Sequence, residues 1–253
     1  MRIVVWNCRM AFARKRELLF ALKPDVAVIP ECSRDAARAC AGEGYSVCWW
    51  GDTKHKGLAV IAAVPWALDS GRSWARHPAQ KWIAPVKVNG PTNFLLVAVW
   101  ACPVGTVREL NYVGQLFQAV KRHKRWFSEG VPTVICGDFN SNAILDRGRK
   151  IMRHTAVVGM LAERNLLSAY HAFFSEEHGK ETRPTHYLWH RESKPFHLDY
   201  IFLPRPWIQS LSEVSVGSYA QWRSWSDHMP VVVDFSLPSM DDARPSQVQQ
   251  TAV

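Results

Sequence analysis

A chain of 253 residues stands at the upper end of what one hydrophobic core organises, and it buries roughly 70 to 75% of the surface its unfolded form exposes. Apolar residues at 47% and charged residues at 21% exclude a collagen-like, disordered or disulfide-scaffold chain. Lys plus Arg total 31 against 22 Asp plus Glu, a formal charge of +9, which favours an anionic partner: nucleic acid, a phospholipid surface or a phosphorylated small molecule.

In chain order, Ile3 to Trp6 is a short apolar run, Ala13 to Leu22 a basic amphipathic stretch, and Val26 to Ile29 a second apolar run between Pro24 and Pro30. This predicts strand, helix, strand. Six cysteines stand at 8, 32, 40, 48, 102 and 136 without a CxxC pair, so reduced thiols are expected. The N-terminal apolar run is too short for a signal segment, and no stretch reaches the roughly 18 apolar residues of a membrane span. A cytoplasmic protein without disulfides is the expectation.

Ser46 to Trp50, Leu58 to Ala63, Trp82 to Val88 and Phe94 to Trp100 are further strand candidates, with turns at Gly51 to Gly57 and Asn89 to Asn93. Helical spacing of Val107, Leu110, Val113, Leu116, Phe117, Val120 and Phe127 predicts a long surface helix over Thr106 to Phe127, stopped by Gly130 and Pro132. Its basic end, Lys121 to Arg125, suits the helix dipole and is expected to be solvated. Thr133 to Cys136 is a buried strand, Thr155 a candidate cap for a helix to about Asn165, and Leu198 to Leu203 and Val231 to Phe235 are strands. Interleaved helices and strands without a repeat indicate one α/β domain over residues 1 to 236, followed by a tail, 237 to 253, expected to be disordered.

Polar residues just past apolar runs carry the chemistry: Asn7, Glu31, Asp138 and Asn140. Strand ends are where open α/β sheets build sites. Each residue alone reads as a cap or turn former; four in succession point to a site. Asp138 and Asn140, two apart, leave a strand on one side and can share a ligand. Near the C-terminus, Ser226-Asp227-His228 and His197-Leu198-Asp199-Tyr200 add two acids and two imidazoles, and an Asp-oriented His is the simplest working pair. Oxygen donors of this kind suit Mg²⁺ or Mn²⁺. With a basic chain, the set indicates metal-assisted attack of water on a phosphate ester.

The order Trp6-Asn7, Pro30-Glu31, Gly137-Asp138-Phe139-Asn140, His197-Leu198-Asp199-Tyr200, Ser226-Asp227-His228 resembles the endonuclease/exonuclease/phosphatase superfamily, which includes exonuclease III, apurinic endonucleases and DNase I. The resemblance implies a DNase I-like four-layer sandwich, two central mixed β-sheets flanked by helices. It implies Glu31 as main metal ligand with Asn7 and Asp227 beside it, Asp138 orienting water, Asn140 holding water or phosphate, and Asp199 aligning a charged His228. Two departures bear on mechanism. Trp100 fills a slot that relatives give to His or Tyr, and an indole donates a hydrogen bond without transferring a proton. Arg9 follows Asn7 where apurinic endonucleases carry an acid or amide, and it is expected to touch phosphate.

Lys54, His55 and Lys56, then Arg147, Arg149, Lys150 and Arg153, are expected to line a phosphate track, with His197 and Trp100 also assigned to substrate. Trp222 and Trp225 are expected in the core, with base stacking as the alternative. Neither a Walker A nor a GxGxxG motif is present. The sequence therefore indicates a Mg²⁺- or Mn²⁺-dependent phosphodiester hydrolase acting on nucleic acid, expected to be DNA as an endo- or exonuclease, with no obligate protein partner. Two alternatives stay open: a phosphatase or phosphodiesterase for a lipid or small phosphorylated molecule, and an inactive nucleic-acid-binding module.

Overall fold

The apolar runs pair into two six-stranded sheets. The computed structural model describes residues 1–71, 81–107, 110–128, 130–148 and 151–237. The strands are β1 (Arg2–Val5), β2 (Val26–Cys32), β3 (Ser46–Thr53), β4 (Lys56–Ala62), β5 (Ala67–Asp69), β6 (Ile83–Asn89), β7 (Phe94–Trp100), β8 (Thr133–Asp138), β9 (Leu166–Ser168), β10 (His186–Tyr187), β11 (Pro195–Phe196), β12 (Asp199–Pro204), β13 (Leu211–Val216) and β14 (Val231–Phe235). One sheet runs β13-β14-β1-β2-β4-β3, the other β5-β6-β7-β8-β12-β9, and β10 pairs with β11 alone. Each large sheet is mixed: β1 lies parallel to β2 and β7 parallel to β8, and the other pairs are antiparallel.

Burial on both faces explains why these strands read as continuous apolar runs. Ile3, Val5, Val26 and Val28 of the first sheet share a cluster with Ala84, Val86, Leu96 and Ala98 of the second, so the sheets pack face to face. The alternate residues point outward. Val4, Ala27 and Ile29 meet Leu19 of α1 (Arg16–Phe20) and Ala37 and Cys40 of α2 (Arg34–Gly42). Val97, Val99 and Ile135 meet Leu116 and Val120 of α3 (Val113–Arg122) and Leu161 of α4 (His154–Ala162). The result is the four-layer DNase I-like sandwich. Short helices α5 (Ala169–Phe174), α6 (Arg205–Ile208) and α7 (Tyr219–Trp222) complete it. All six cysteines are free, and among the described residues no helix is long and apolar enough to cross a membrane.

The helix expected over Thr106 to Phe127 is shorter. Asn111 ties its approach into a loop by accepting from the Val104 and Gly105 amides at 2.8 and 3.3 Å and donating to the Gly105 carbonyl at 2.9 Å. Tyr112, at φ 54°, then starts α3, and His123, at ψ 65°, ends it before a single 3₁₀ turn at Lys124–Phe127. Nor does Thr155 cap α4. Asp146 does so from a distance, accepting from the His154 and Thr155 amides at 2.7 and 3.0 Å. Residues 238 to 253 of the expected tail lie outside the described residues.

Gly137, the penultimate residue of β8, sits at φ 140°, and a Cβ there would lie 2.0 Å from the Val99 carbonyl oxygen of the parallel neighbour. Gly137→Ala should therefore push β8 off β7 and destabilise the fold by roughly 3 kcal/mol or more, measured by urea unfolding; a change under about 1 kcal/mol would contradict the close approach.

Candidate active site

Parallel pairing brings the ends of β1 and β2 to one edge. The Trp6 and Cys8 amides continue the ladder to the Val28 and Pro30 carbonyls at 3.1 and 3.3 Å, which sets Asn7 beside Glu31. Glu31 occupies a register shift between Pro30 and Cys32 and has φ 62°, a bulge of the kind that re-aims a side chain. The Asn7 amide group donates to Asp138 Oδ2 at 3.0 Å and to Glu31 Oε1 at 3.4 Å, which joins the first sheet to the second.

On the second sheet Asp138 stands directly opposite Asp199 across β8 and β12, and both are fully buried. Asn140 folds back on Asp138, donating its backbone amide at 2.8 Å and its side-chain amide at 3.1 Å. The Asp199 Oδ2 atom accepts from Thr185 Oγ1 at 2.8 Å and lies 2.8 Å from His228 Nδ1. His228 is held from the first sheet's side. Its amide donates to Ser226 Oγ at 3.0 Å, Ser226 Oγ donates to the Asn7 carbonyl at 2.8 Å, and Trp6 Nε1 donates to the His228 carbonyl at 3.0 Å.

Electrostatics divides the protons within this group. Burial raises the proton affinity of Asp138, opposed by His228 and reinforced by Asp199. Burial alone would depress the His228 imidazole, but Asp199 and Asp138 outweigh it and hold the ring well above its ordinary value. A charged imidazole thus shares two buried carboxylates, one of which is poised to take a proton.

The rim carries cations. Lys56 Nζ lies 3.1 Å from Glu31 Oε2 and 5.0 Å from the Trp100 ring centre, and Arg9 Nε lies 3.5 Å from Asp227 Oδ2. Trp100, in register with Asp138, is 5% exposed and packs at 5.1 Å on Trp82. It is a core residue whose face supports Lys56. Arg9, Met10 and Ala11 all have positive φ, 48°, 64° and 51°, a strained bend tied down by Lys15 Nζ donating to the Cys8 carbonyl at 2.7 Å. Lys54 is exposed in the β3–β4 turn.

The structure thus gathers Asn7, Glu31, Asp138, Asn140, Asp199 and His228, with Arg9, Lys56 and Asp227 at the rim. It does not bring His197 into this group. That ring is 3% exposed, its Nδ1 lies 2.8 Å from the Arg183 carbonyl, and it packs on Tyr170, His171 and Tyr200. Trp222 is buried edge-on against Trp6, whereas Trp225 is 40% exposed. Arg149 and Lys150 lie outside the described residues. Sequence reasoning gives Ser226 no role within its motif, and it misses Thr185 and His186, whose ring centre lies 4.5 Å from that of His228.

Among the described residues, three groups of His, Asp and Glu offer ligand atoms within 4.8 Å of one another: Asp138, Asp199 and His228; His186, Asp227 and His228; and His171, His178 and Glu181. The first two lie in the gathered site. Glu31 and Asp227, 18% and 19% exposed, each face a cation of the chain itself, so their hard oxygens fit a divalent ion in chemistry and charge.

A model of the Endonuclease/Exonuclease/phosphatase family matches residues 4–228. The chain belongs to that family. Similar solved structures include a 3′-5′ exonuclease from Neisseria meningitidis, 18% identical, with 94% of this chain and 100% of that chain covered and a TM-score of 0.65. A second is an AP endonuclease from Archaeoglobus fulgidus at 15% identity, with the same coverage and a TM-score of 0.66. A third is a Neisseria 3′ phosphatase bound to product DNA hairpin, at 18% identity, 94% and 100% coverage and a TM-score of 0.64. These likenesses show the shared sandwich. A comparison with curated proteins finds no match.

The Asp199 to His228 contact has a direct readout. A pKa raised by folding adds stability that is complete below the unfolded imidazole value of about 6.5 and is lost as pH rises through the folded value. In chelator-treated protein, NMR titration should show His228 charged through neutral pH, and Asp199→Asn should move its midpoint downward by at least about one unit. An unchanged midpoint would remove Asp199 as the partner that holds the charge.

Proposed function

We propose that this family member is a divalent-metal-dependent phosphodiesterase acting on DNA. The observation that carries the reading is the buried Asp138 placed opposite an Asp199–His228 pair and linked through Asn7 to Glu31. In this reading Asp138 aligns a water and takes its proton, which its raised proton affinity favours. Charged His228, kept in orientation by Asp199, faces the phosphate and offsets the negative charge that grows there. Asn140 releases one amide hydrogen bond from Asp138 to hold a phosphate oxygen. Glu31, Asn7 and Asp227 would hold Mg²⁺ or Mn²⁺, whose chemistry when bound is to neutralise phosphate charge.

Support for DNA comes from the net charge of +9, the rim cations Arg9 and Lys56, and Lys54 exposed in the β3–β4 turn that leads to Lys56. The fold is shared with a 3′ phosphatase bound to a DNA hairpin; that neighbour also favours a second reading, removal of a terminal phosphate. The panel that decides contains single-stranded, double-stranded, abasic and 3′-phosphate DNA, RNA and inositol phosphates, each with Mg²⁺, Mn²⁺ or EDTA. Cleavage of a DNA lane that EDTA abolishes supports the proposal; hydrolysis confined to inositol phosphates, or none, overturns it.

Glu31→Gln should remove metal-dependent turnover with little change in stability, and Asp138→Asn should slow turnover by about 10²- to 10⁴-fold with a smaller effect on binding. Near wild-type turnover in either variant would strike that residue from the mechanism.

On a polyanionic strand, affinity should fall steeply with salt, and Lys54→Ala with Lys56→Ala should flatten the slope by roughly one unit per lost phosphate contact. Fluorescence anisotropy with a 20-mer across a salt series reads this; an unchanged slope would place both lysines off the strand.

A further inference from the structure

We propose that His171, His178 and Glu181 form a second metal site, for a divalent transition ion of the zinc class, separate from the phosphoesterase centre. Their ligand atoms lie within 4.8 Å of one another. His171 projects from α5, and His178 and Glu181 follow it on either side of the left-handed Gly179, φ 92°. The His171 and Glu181 side chains are 9% and 4% exposed. Donors around a tetrahedral ion at about 2.0 to 2.1 Å are separated by roughly 3.3 Å. His171 Nε2 lies 3.0 Å from Glu181 Oε1, near that separation, while the His178 ring is stacked on that of His171, with ring centres 3.5 Å apart at 19°. Small adjustments of side-chain torsions would open this cluster to an ion.

The surroundings match what metal ligands need. Each ligand has an outer partner that fixes its orientation. Ser168 Oγ contacts His171 Nδ1 at 2.7 Å, His154 Nε2 contacts His178 Nδ1 at 3.1 Å, and the Gly179 amide donates to both Glu181 oxygens at 3.0 Å. A separate observation points the same way: His197, 3% exposed, packs its ring 6.0 Å from that of His171 and leaves Nε2 without a hydrogen-bond partner among the described residues. A buried, unpaired ring nitrogen is costly, and this one lies in the shell of side chains packed around the cluster. Two imidazoles with one carboxylate select zinc-class ions, whereas the all-oxygen rim of the other centre selects magnesium-class ions.

The test uses the full chain, stripped with chelator and reloaded with Zn²⁺ or Co²⁺ in excess Mg²⁺. Metal analysis after dialysis should give one Zn²⁺ per chain, Tm should rise by about 5 °C or more at a hundredfold excess over Kd, and Co²⁺ should give the visible absorption of a low-symmetry nitrogen-bearing site. His178→Gln and Glu181→Gln should each lose the bound ion while keeping the wild-type circular dichroism, and His186→Gln, at the neighbouring cluster, should retain it. If a variant fails to fold, X-ray absorption of the Zn²⁺-loaded wild type decides, with imidazole scattering expected. No Zn²⁺ retained by the wild type, retention by both folded variants, its loss in His186→Gln, or an all-oxygen shell would each overturn the proposal. None of these measurements involves substrate, so the outcome is independent of the proposed hydrolysis.

Discussion

Two carboxylates facing each other in a dry interior are the constraint on which this structure depends. Asp138 and Asp199 are paired across neighbouring strands and neither is exposed, so their mutual repulsion and lost hydration must be offset by groups brought to them. Hydrogen bonds from Asn140 and Thr185 supply part. The balancing cation is His228, which arrives from the segment just before β14 of the opposite sheet. The demand of this buried pair fixes how their polar ends meet.

Asn7 shows how the requirement spreads. Its amide group spans from Glu31, on its own sheet, to Asp138 on the other, while its backbone carbonyl accepts the Ser226 hydroxyl that in turn orients His228. One residue after β1 therefore touches both carboxylates of differing exposure and the support of the imidazole. The bulge at Glu31 and the left-handed run from Arg9 to Ala11 are the backbone distortions that accompany this convergence, as expected where local strain is held by surrounding contacts.

Much of this was legible in the sequence, for a physical reason. Strands buried on both faces show as apolar runs, so β1, β2, β6, β7, β8 and β14 stood out, and Asn7, Glu31 and Asp138 stood out by lying at or just past their ends. Short elements did not. β10 and β11 have two residues each, and α6 and α7 four, too few for any period to emerge. Thr185 and Ser226 act through contacts made only by the folded chain. His197 enters the sequence reading through the His197-Leu198-Asp199-Tyr200 motif, yet β12 begins at Asp199, and before it the chain turns the imidazole toward Tyr170 and His171. The helix before Gly130 was overextended because helical spacing continued through residues that Asn111 ties into a loop.

Strand order within the first sheet also bears on how the molecule is made. β1, at residues 2 to 5, lies between β2 and β14, at residues 231 to 235, and the Met1 amino group donates to the Phe235 carbonyl at 2.7 Å. During synthesis β1 is made long before β14, so one of its two hydrogen-bonding edges stays unmatched until the last strand of this sheet has been translated. Such a long separation slows closure and keeps an apolar edge available to the wrong partners. The same late strand begins three residues after His228, so the side chains of the candidate site come together only as the fold closes.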